Sequence, residues 1–275
     1  KQRWLNAALA IVLLSSACHR AIGGAVTSVT FGVALADRVA NKTSAAATFT
    51  FTTTAGGALA AGSSITLTYP SGFFASAGSP AATINGVGGG AVAAPTSTQI
   101  VITTGAAVAA STAVTVTVTG LTMGAATAES SNGITIATSA DPTVSAVVSS
   151  GVIGGQVTAA SFSMAPDHRV ASKTAAAATF IFTTSAGGAI AAGGTITLTY
   201  PLGFFSPTPT PGASISGGAS GSCAAPALTQ IVVTTSVASL AASAAVTVTL
   251  TGITMGSAPT AGGNVTLQTS VDQTA

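Results

Sequence analysis

Apolar and polar residues alternate with a period of two along most of this chain. Phe49 and Phe51 alternate with Thr50 and Thr52, and Ile65, Leu67 and Tyr69 with Thr66 and Thr68. Val114, Val116 and Val118 alternate with Thr115, Thr117 and Thr119, and Ile134 and Ile136 flank Thr135. This period places one apolar and one hydroxylic face on each stretch, as half-buried antiparallel strands require. Thr suits both faces, being β-branched and still able to meet water. Seven strands follow, near residues 26–35, 46–54, 64–69, 81–85, 98–104, 112–121 and 133–139. Ala55-Gly56-Gly57, Pro70-Ser71-Gly72, Gly86–Gly90 and Gly124 punctuate them. The Ala-rich stretches Ala106–Ala113 and Val237–Ala245 read as loops and strand starts, because Thr and Val flank them closely.

The whole set then recurs. Asp37-Arg38-Val39-Ala40-Asn41-Lys42-Thr43 returns as His168-Arg169-Val170-Ala171-Ser172-Lys173-Thr174, an offset of 169 − 38 = 131. Ile65–Pro70 returns as Ile196–Pro201, each followed one residue later by Gly-Phe-Phe. Gly120–Gly124 matches Gly252–Gly256 at 252 − 120 = 132, so a one-residue indel lies in a loop between. A period this long exceeds a solenoid rung of roughly 20–50 residues and is the size of a domain. The expected organisation is an apolar segment over 1–22, a first repeat over 23–142, a linker over 143–155 and a second repeat over 156–275. Seven short strands in just over about 100 residues fit an immunoglobulin-like sandwich. The expected fold is all-β, with two tandem immunoglobulin-like antiparallel β-sandwiches after a short N-terminal apolar helix. The Cys…Trp…Cys core of antibody domains is missing, so the expectation concerns architecture alone.

Lys1-Gln2-Arg3, a short apolar run from Trp4 to Ala17 and the small residues Ser15-Ser16-Ala17 have the form of a secretory signal. The run falls short of the roughly 20 apolar residues that span a bilayer. Cys18 after Ser16-Ala17 loosely resembles a lipoprotein signal, which makes Cys18 a candidate for lipidation, although Ser15 stands where that pattern prefers Leu. The alternative is a buried or membrane-lying N-terminal helix that is retained in the mature chain.

Strands ending in Tyr-Pro-x-Gly-Phe-Phe (Tyr69–Phe74 and Tyr200–Phe205), within tandem Thr/Ala/Gly-rich units behind a signal-like start, resemble the secreted β-sandwich repeat proteins of cell surfaces. Adhesins, surface-layer proteins and extracellular filament subunits are built this way. The resemblance covers residues 23–275. It implies an extracellular or cell-surface location, no enzymatic activity, and self-association or binding to other surface proteins or glycans.

Charge sharpens the picture. Lys+Arg is 7 and Asp+Glu is 5, so charged residues make up 4% of 275 residues, against about 25% in a typical soluble domain. Nucleic-acid binding needs a basic stripe, and none exists. Membrane contact is expected only through the N-terminal segment. Acid–base catalysis needs positioned titratable groups, which are scarce here. No cofactor is expected: Gly86-Val87-Gly88-Gly89-Gly90-Ala91 fits a dinucleotide pattern, but no helix follows and no acid comes after it until Glu129, so it reads as a flexible loop. Cys18, His19, His168 and Cys223 lack the short paired spacings of a zinc site, and Cys223 has no counterpart in the first repeat, where Val92 stands. No metal or catalytic residue is assigned.

The charge cluster of each repeat is Asp37, Arg38 and Lys42, then Asp167, Arg169 and Lys173. It reads either as a polar contact between neighbouring domains or subunits, or as a solvated loop with an ion pair worth about 0–1 kcal/mol. Asn41-Lys42-Thr43 and Asn264-Val265-Thr266 are glycosylation sequons, which makes Asn41 and Asn264 candidate sugar acceptors.

The expected function is that of a non-enzymatic extracellular structural or adhesive repeat protein, displayed on a surface or assembled into a filament. Low charge removes a common guard against edge-to-edge strand pairing, and the linker Thr143–Thr158 could complete a neighbouring sheet by strand addition. The alternative is a carbohydrate-binding surface module, with Tyr69, Phe73, Phe74, Tyr200, Phe204 and Phe205 as its rings, although core plugs after a turn account for those rings better. Ice binding by Thr rows suits a twisted sandwich poorly, and an enzyme comes last.

Overall fold

A computed structural model describes residues 23–131, 133–217, 220–236, 238–258 and 262–274. The expected apolar helix and Cys18 lie outside these. The described chain is all-β and forms two compact units. One takes residues 23–33, 44–121 and most of 131–150; the other takes 34–43, 122–130 and 151–275.

In the first unit the strands are β1 (Thr27–Val33), β2 (Ala45–Thr52), β3 (Ser64–Thr68), β4 (Ala81–Ile84), β5 (Val87–Gly88), β6 (Gln99–Thr103), β7 (Ala113–Leu121) and β8 (Thr135–Thr138). They form a five-stranded sheet ordered β1-β2-β7-β4-β5 and a three-stranded sheet ordered β6-β3-β8. All named pairings are antiparallel. The apolar positions of the period-two pattern meet between the sheets: Phe49, Phe51, Ile65, Leu67, Ile100, Ile102, Val114, Val116, Val118 and Ile136 are all buried. Each contributes about 1.5–3 kcal/mol by leaving water. A one-residue slip would turn these side chains outward, so the register is tightly specified.

The segment after β8 returns along its free edge. Ser145 N donates to Ile136 O at 3.0 Å, and Ile136 N donates to Ser145 Oγ at 3.0 Å. Ile134 and Val148 exchange backbone bonds of 2.9 and 3.0 Å. This part of the expected linker therefore completes the sandwich of the repeat it follows. At the opposite edge, β1 is blunted by a bulge where its register shifts between Thr27 and Thr30, with Ser28 at φ 52°.

In the second unit the strands are β9 (Thr158–Ser163), β10 (Ala176–Thr183), β11 (Thr195–Thr199), β12 (Gly212–Ile215), β13 (Ser220–Cys223), β14 (Gln230–Ser236), β15 (Ala245–Ile253) and β16 (Thr266–Thr269). They run in one continuous sheet, β16-β11-β14-β13-β12-β15-β10-β9. The difference from the first unit is β13, which pairs with both β12 and β14 and so joins the two layers. Its counterpart β5 is only two residues long. Phe180, Phe182, Ile196, Leu198, Ile231, Val233, Val246, Val248 and Leu250 fill the core. The edge strand β9 repeats the bulge, with Ala159 at φ 51°.

One expectation is corrected. The Gly86–Ala91 stretch is not simply a flexible loop: Asn85 (φ 51°) and Gly86 (φ 77°) form a tight hairpin turn from β4 into β5. Both residues adopt the left-handed conformation that Asn-Gly tolerates best. Asn85 Oδ1 also accepts the Thr115 N–H at 2.8 Å, fixing the turn to β7.

Candidate functional site

Two of the five acidic residues are buried completely and do work that the sequence pattern left unassigned. Asp141 and Asp272 are each 0% exposed and stand 272 − 141 = 131 apart. The Asp141 carboxylate accepts the Thr54 N–H at 3.0 Å and the Thr54 hydroxyl. The Asp272 carboxylate accepts the Ser185 N–H and the Gly155 N–H, both at 2.8 Å, and the Ser185 hydroxyl. The hydroxyl three residues earlier closes each turn, since Thr138 Oγ1 accepts the Asp141 N–H at 2.9 Å and Thr269 Oγ1 the Asp272 N–H at 2.8 Å. Gly57 and Gly188 are required beside them, because a Cβ there would run into Asp141 Oδ2 or Asp272 Oδ2. These carboxylates are pins that tie the end of each sandwich together. The available signal was the recurrence of Thr-x-x-Asp in a chain so poor in acids.

The charge cluster divides. Asp37 closes a short 3-10 turn (Leu35–Asp37) and Asp167 lies in its counterpart (Pro166–His168). Arg38 is half-buried in the second unit and its Nη1 donates to Val152 O at 3.1 Å. Desolvation by burial lowers the Arg38 pKa, with Glu129 opposing. Arg169, Lys42 and Lys173 are exposed. His168 accepts the Ala177 N–H on Nδ1 at 3.1 Å, a local structural role. Among the described residues no group of three or more His, Cys, Asp or Glu is placed to hold a metal ion. Asn41 and Asn264 are both exposed, Asn41 at φ 59°. Cys223 is free and half-buried, and burial pushes its thiol up to about 11.

The ring cluster is interior. Tyr69, Phe73, Phe74, Tyr200 and Phe205 are buried and pack edge-on, with centroids 4.9–5.0 Å apart for Tyr69–Phe74, Phe73–Phe74 and Tyr200–Phe205. The Tyr69 hydroxyl donates toward Thr96 O (2.8 Å) and Gln99 O (3.1 Å), and Tyr200 toward Ala227 O (2.7 Å) and Gln230 O (3.0 Å). Burial pushes both phenols up to about 12.

Phe204 is the exception. It is only partly buried, and with Phe162 (centroids 6.1 Å apart) it lines a cavity of about 410 Å³ in the second unit. Arg169, Val170, Ala171, Met255 and Val265 are among its other walls. A smaller cavity of about 50 Å³ continues between β9 and β16, bounded by Phe162, Val265 and Leu267. Ala171 N–H and Arg169 C=O have no hydrogen-bond partner among the described residues. The cavity is walled mainly by apolar side chains and glycine.

No family model matches this chain, and no curated protein matches it in sequence. Solved structures similar to it include an M1 zinc metallopeptidase from Deinococcus radiodurans (13% identity, TM-score 0.26), where the likeness covers 83% of this chain and 42% of that one. A serine-rich repeat adhesion glycoprotein from Streptococcus agalactiae is matched at 10% identity and TM-score 0.24, over 85% of this chain and 90% of that one. A collagen adhesin from S. aureus is matched at 12% identity and TM-score 0.22, over 86% and 82%. This chain spans about two fifths of the metallopeptidase's length. Likenesses at these scores carry no argument about what this chain does.

Proposed function

We propose that this chain is a non-enzymatic structural or adhesive repeat protein that works outside the cell, displayed on a surface or assembled into a filament. The observation that carries the reading is that none of the sixteen strands among the described residues contains a charged residue. Their outward faces are rows of hydroxyls, some bonded across strands, as in Thr30–Thr50 (2.7 Å) and Thr48–Thr117 (3.2 Å). Such faces are wetted by hydroxyls instead of charge, and they offer a partner hydrogen bonds without repulsion. Charged edges are a usual guard against intermolecular strand pairing; a chain that dispenses with them suits an assembly or a contact surface.

The test is to coat beads with the full chain and measure their retention on cells, on extracellular-matrix proteins and on each other, beside negative-stain images of the same material. Retention or ordered polymers support the reading. Dispersed monomers that hold to nothing overturn it. A carbohydrate-binding role would have to use Phe162 and Phe204 at the cavity, since the other candidate rings are buried; a blank glycan array dismisses it.

A further inference from the structure

In both repeats the segment that enters the sandwich and the segment that leaves it lie side by side and run the same way. Ala25 bridges Thr143 in parallel, and Gln156 bridges Thr274 in parallel, at 156 − 25 = 131 and 274 − 143 = 131. Glycine lets the entering chain seat this closely: a Cβ on Gly23 would strike Ala140 O, and one on Gly154 would strike Val271 O. All pairings between the named strands are antiparallel. The third parallel bridge among the described residues, Val39–Gly154, also falls on an entering segment.

The second unit adds a stronger tie at the same place. The buried Asp272 carboxylate, in the leaving segment, accepts the N–H of Gly155, in the entering one, at 2.8 Å, and bonds to a carboxylate are among the stronger hydrogen bonds. Asp141 has no such bond to the entering segment of the first repeat; it holds Thr54 alone. Upstream in the second unit, Gly154 N donates to Arg38 O at 2.8 Å and Ala40 N to Gly154 O at 2.7 Å. Ile153 exchanges bonds of 2.9 and 3.0 Å with Thr127, and Arg38 Nη1 donates to Val152 O at 3.1 Å. Each of residues 152–155 is thus hydrogen-bonded, and Gln156 is bridged. Next comes β9, an edge strand that pairs only with β10 and carries a bulge. A pull arriving along the chain meets the ties before it meets that strand.

We propose that each repeat is a force-bearing link, whose load crosses the contact between its entering and leaving segments and bypasses the sheets. The two segments run parallel, so tension along the chain draws them in opposite directions along their common axis. The bonds between them are then sheared together instead of opened one after another. Unfolding under load is governed by the rate of breaking that contact and not by overall stability. The second repeat, which has the Gly155–Asp272 bond besides its bridge, is the stronger link. This mechanical function goes beyond the structural or adhesive reading above and does not depend on what the protein holds or on whether it polymerises.

The experiment stretches single molecules of the full chain between tethers at its two ends and records the force at which each repeat ruptures. The unaltered chain is expected to give two ruptures of unequal force. Asp272→Ala is expected to bring the higher force down to the lower one or below it, and to leave the lower one unchanged. The control is Leu250→Ala, a truncation in the core of the same repeat on β15, away from the contact. It is expected to lower the urea midpoint of the second repeat as Asp272→Ala does, yet to leave the higher force in place. Asp272→Asn, which keeps an acceptor, is expected to fall between, and it becomes the test if the alanine variant shows no urea transition for that repeat. The proposal is overturned if the two repeats rupture at equal force, if neither Asp272 variant lowers the higher force, or if Leu250→Ala lowers it as far as Asp272→Ala. A chain with these forces that is retained on nothing and forms no polymer keeps this inference and overturns the reading above. Retention by a chain whose rupture forces ignore Asp272 does the reverse.

Discussion

The two repeats share ring cluster and buried aspartate, and besides the β13 link between the layers of the second they differ at one edge. In the first repeat, Ile134 and β8 are zipped to Ser145–Val148 by four hydrogen bonds. In the second, no described segment lies beside β16 or the Arg169–Ala171 rim. The residues at the two sites are of the same kind, Arg-Val-Ala in each case. The difference therefore comes from what is laid against them and not from their own chemistry. Closure of such a sandwich depends on a segment that its own period-two pattern does not specify.

The strongest way to break this comparison is at the pins. Asp272→Ala leaves two buried N–H groups and a hydroxyl without their acceptor, and it is expected to cost about 3–5 kcal/mol. Asp141→Ala strands only the Thr54 N–H and hydroxyl and is expected to cost about 2–3 kcal/mol. Urea unfolding of the full chain, resolved by repeat, checks both the values and their order. Equal losses would mean that the extra Gly155 bond contributes nothing.

Hydrogen exchange sharpens the edge itself. Ile136 and Ile134 amides are bonded to Ser145 Oγ and Val148 O, while their counterparts Leu267 and Val265 lie at the open edge. Exchange at Leu267 and Val265 is expected to be at least about 10-fold faster, a difference of about 1.4 kcal/mol in local opening. Equal protection would mean that β16 is already covered in solution.

The tyrosines should make the repeats look alike. Removing either hydroxyl by Tyr69→Phe or Tyr200→Phe is expected to cost about 1 kcal/mol. Both phenols are raised from 10.0 to about 12 in the folded chain, so between those values the unfolded chain has lost protons that the folded chain keeps. Their contribution is complete below pH 10 and is lost as pH rises toward 12. Urea midpoints measured across that window should fall, and fall less in the double Phe variant. The smallest effect is expected at Ile181, 42% exposed where the first repeat has Thr50; Ile181→Thr should change stability by no more than about 0.5 kcal/mol, read from the same midpoints.

Strand positions were legible because burial on one face forces period two. The segments expected at 64–69, 98–104 and 112–121 fall on β3, β6 and β7. The tight turn at Asn85-Gly86 was also written in the chain, but a glycine run drew the reading toward a loop. The aspartates were legible only as a recurrence, since nothing local says that a carboxylate will be buried under a turn dozens of residues away. Arg38 and Arg169 could not be told apart, because their difference in exposure is made by residues 152–154.

By itself, then, the sequence determined the all-β class, the repeat and the core faces, because alternation and recurrence are properties of the chain in one dimension. Only the tertiary structure decided how the segment after β8 closes its edge, where the carboxylates are buried and which rings stay at a surface cavity. Those outcomes depend on segments far apart in sequence meeting in space, and hydrogen bonds between them are satisfied or left open only there.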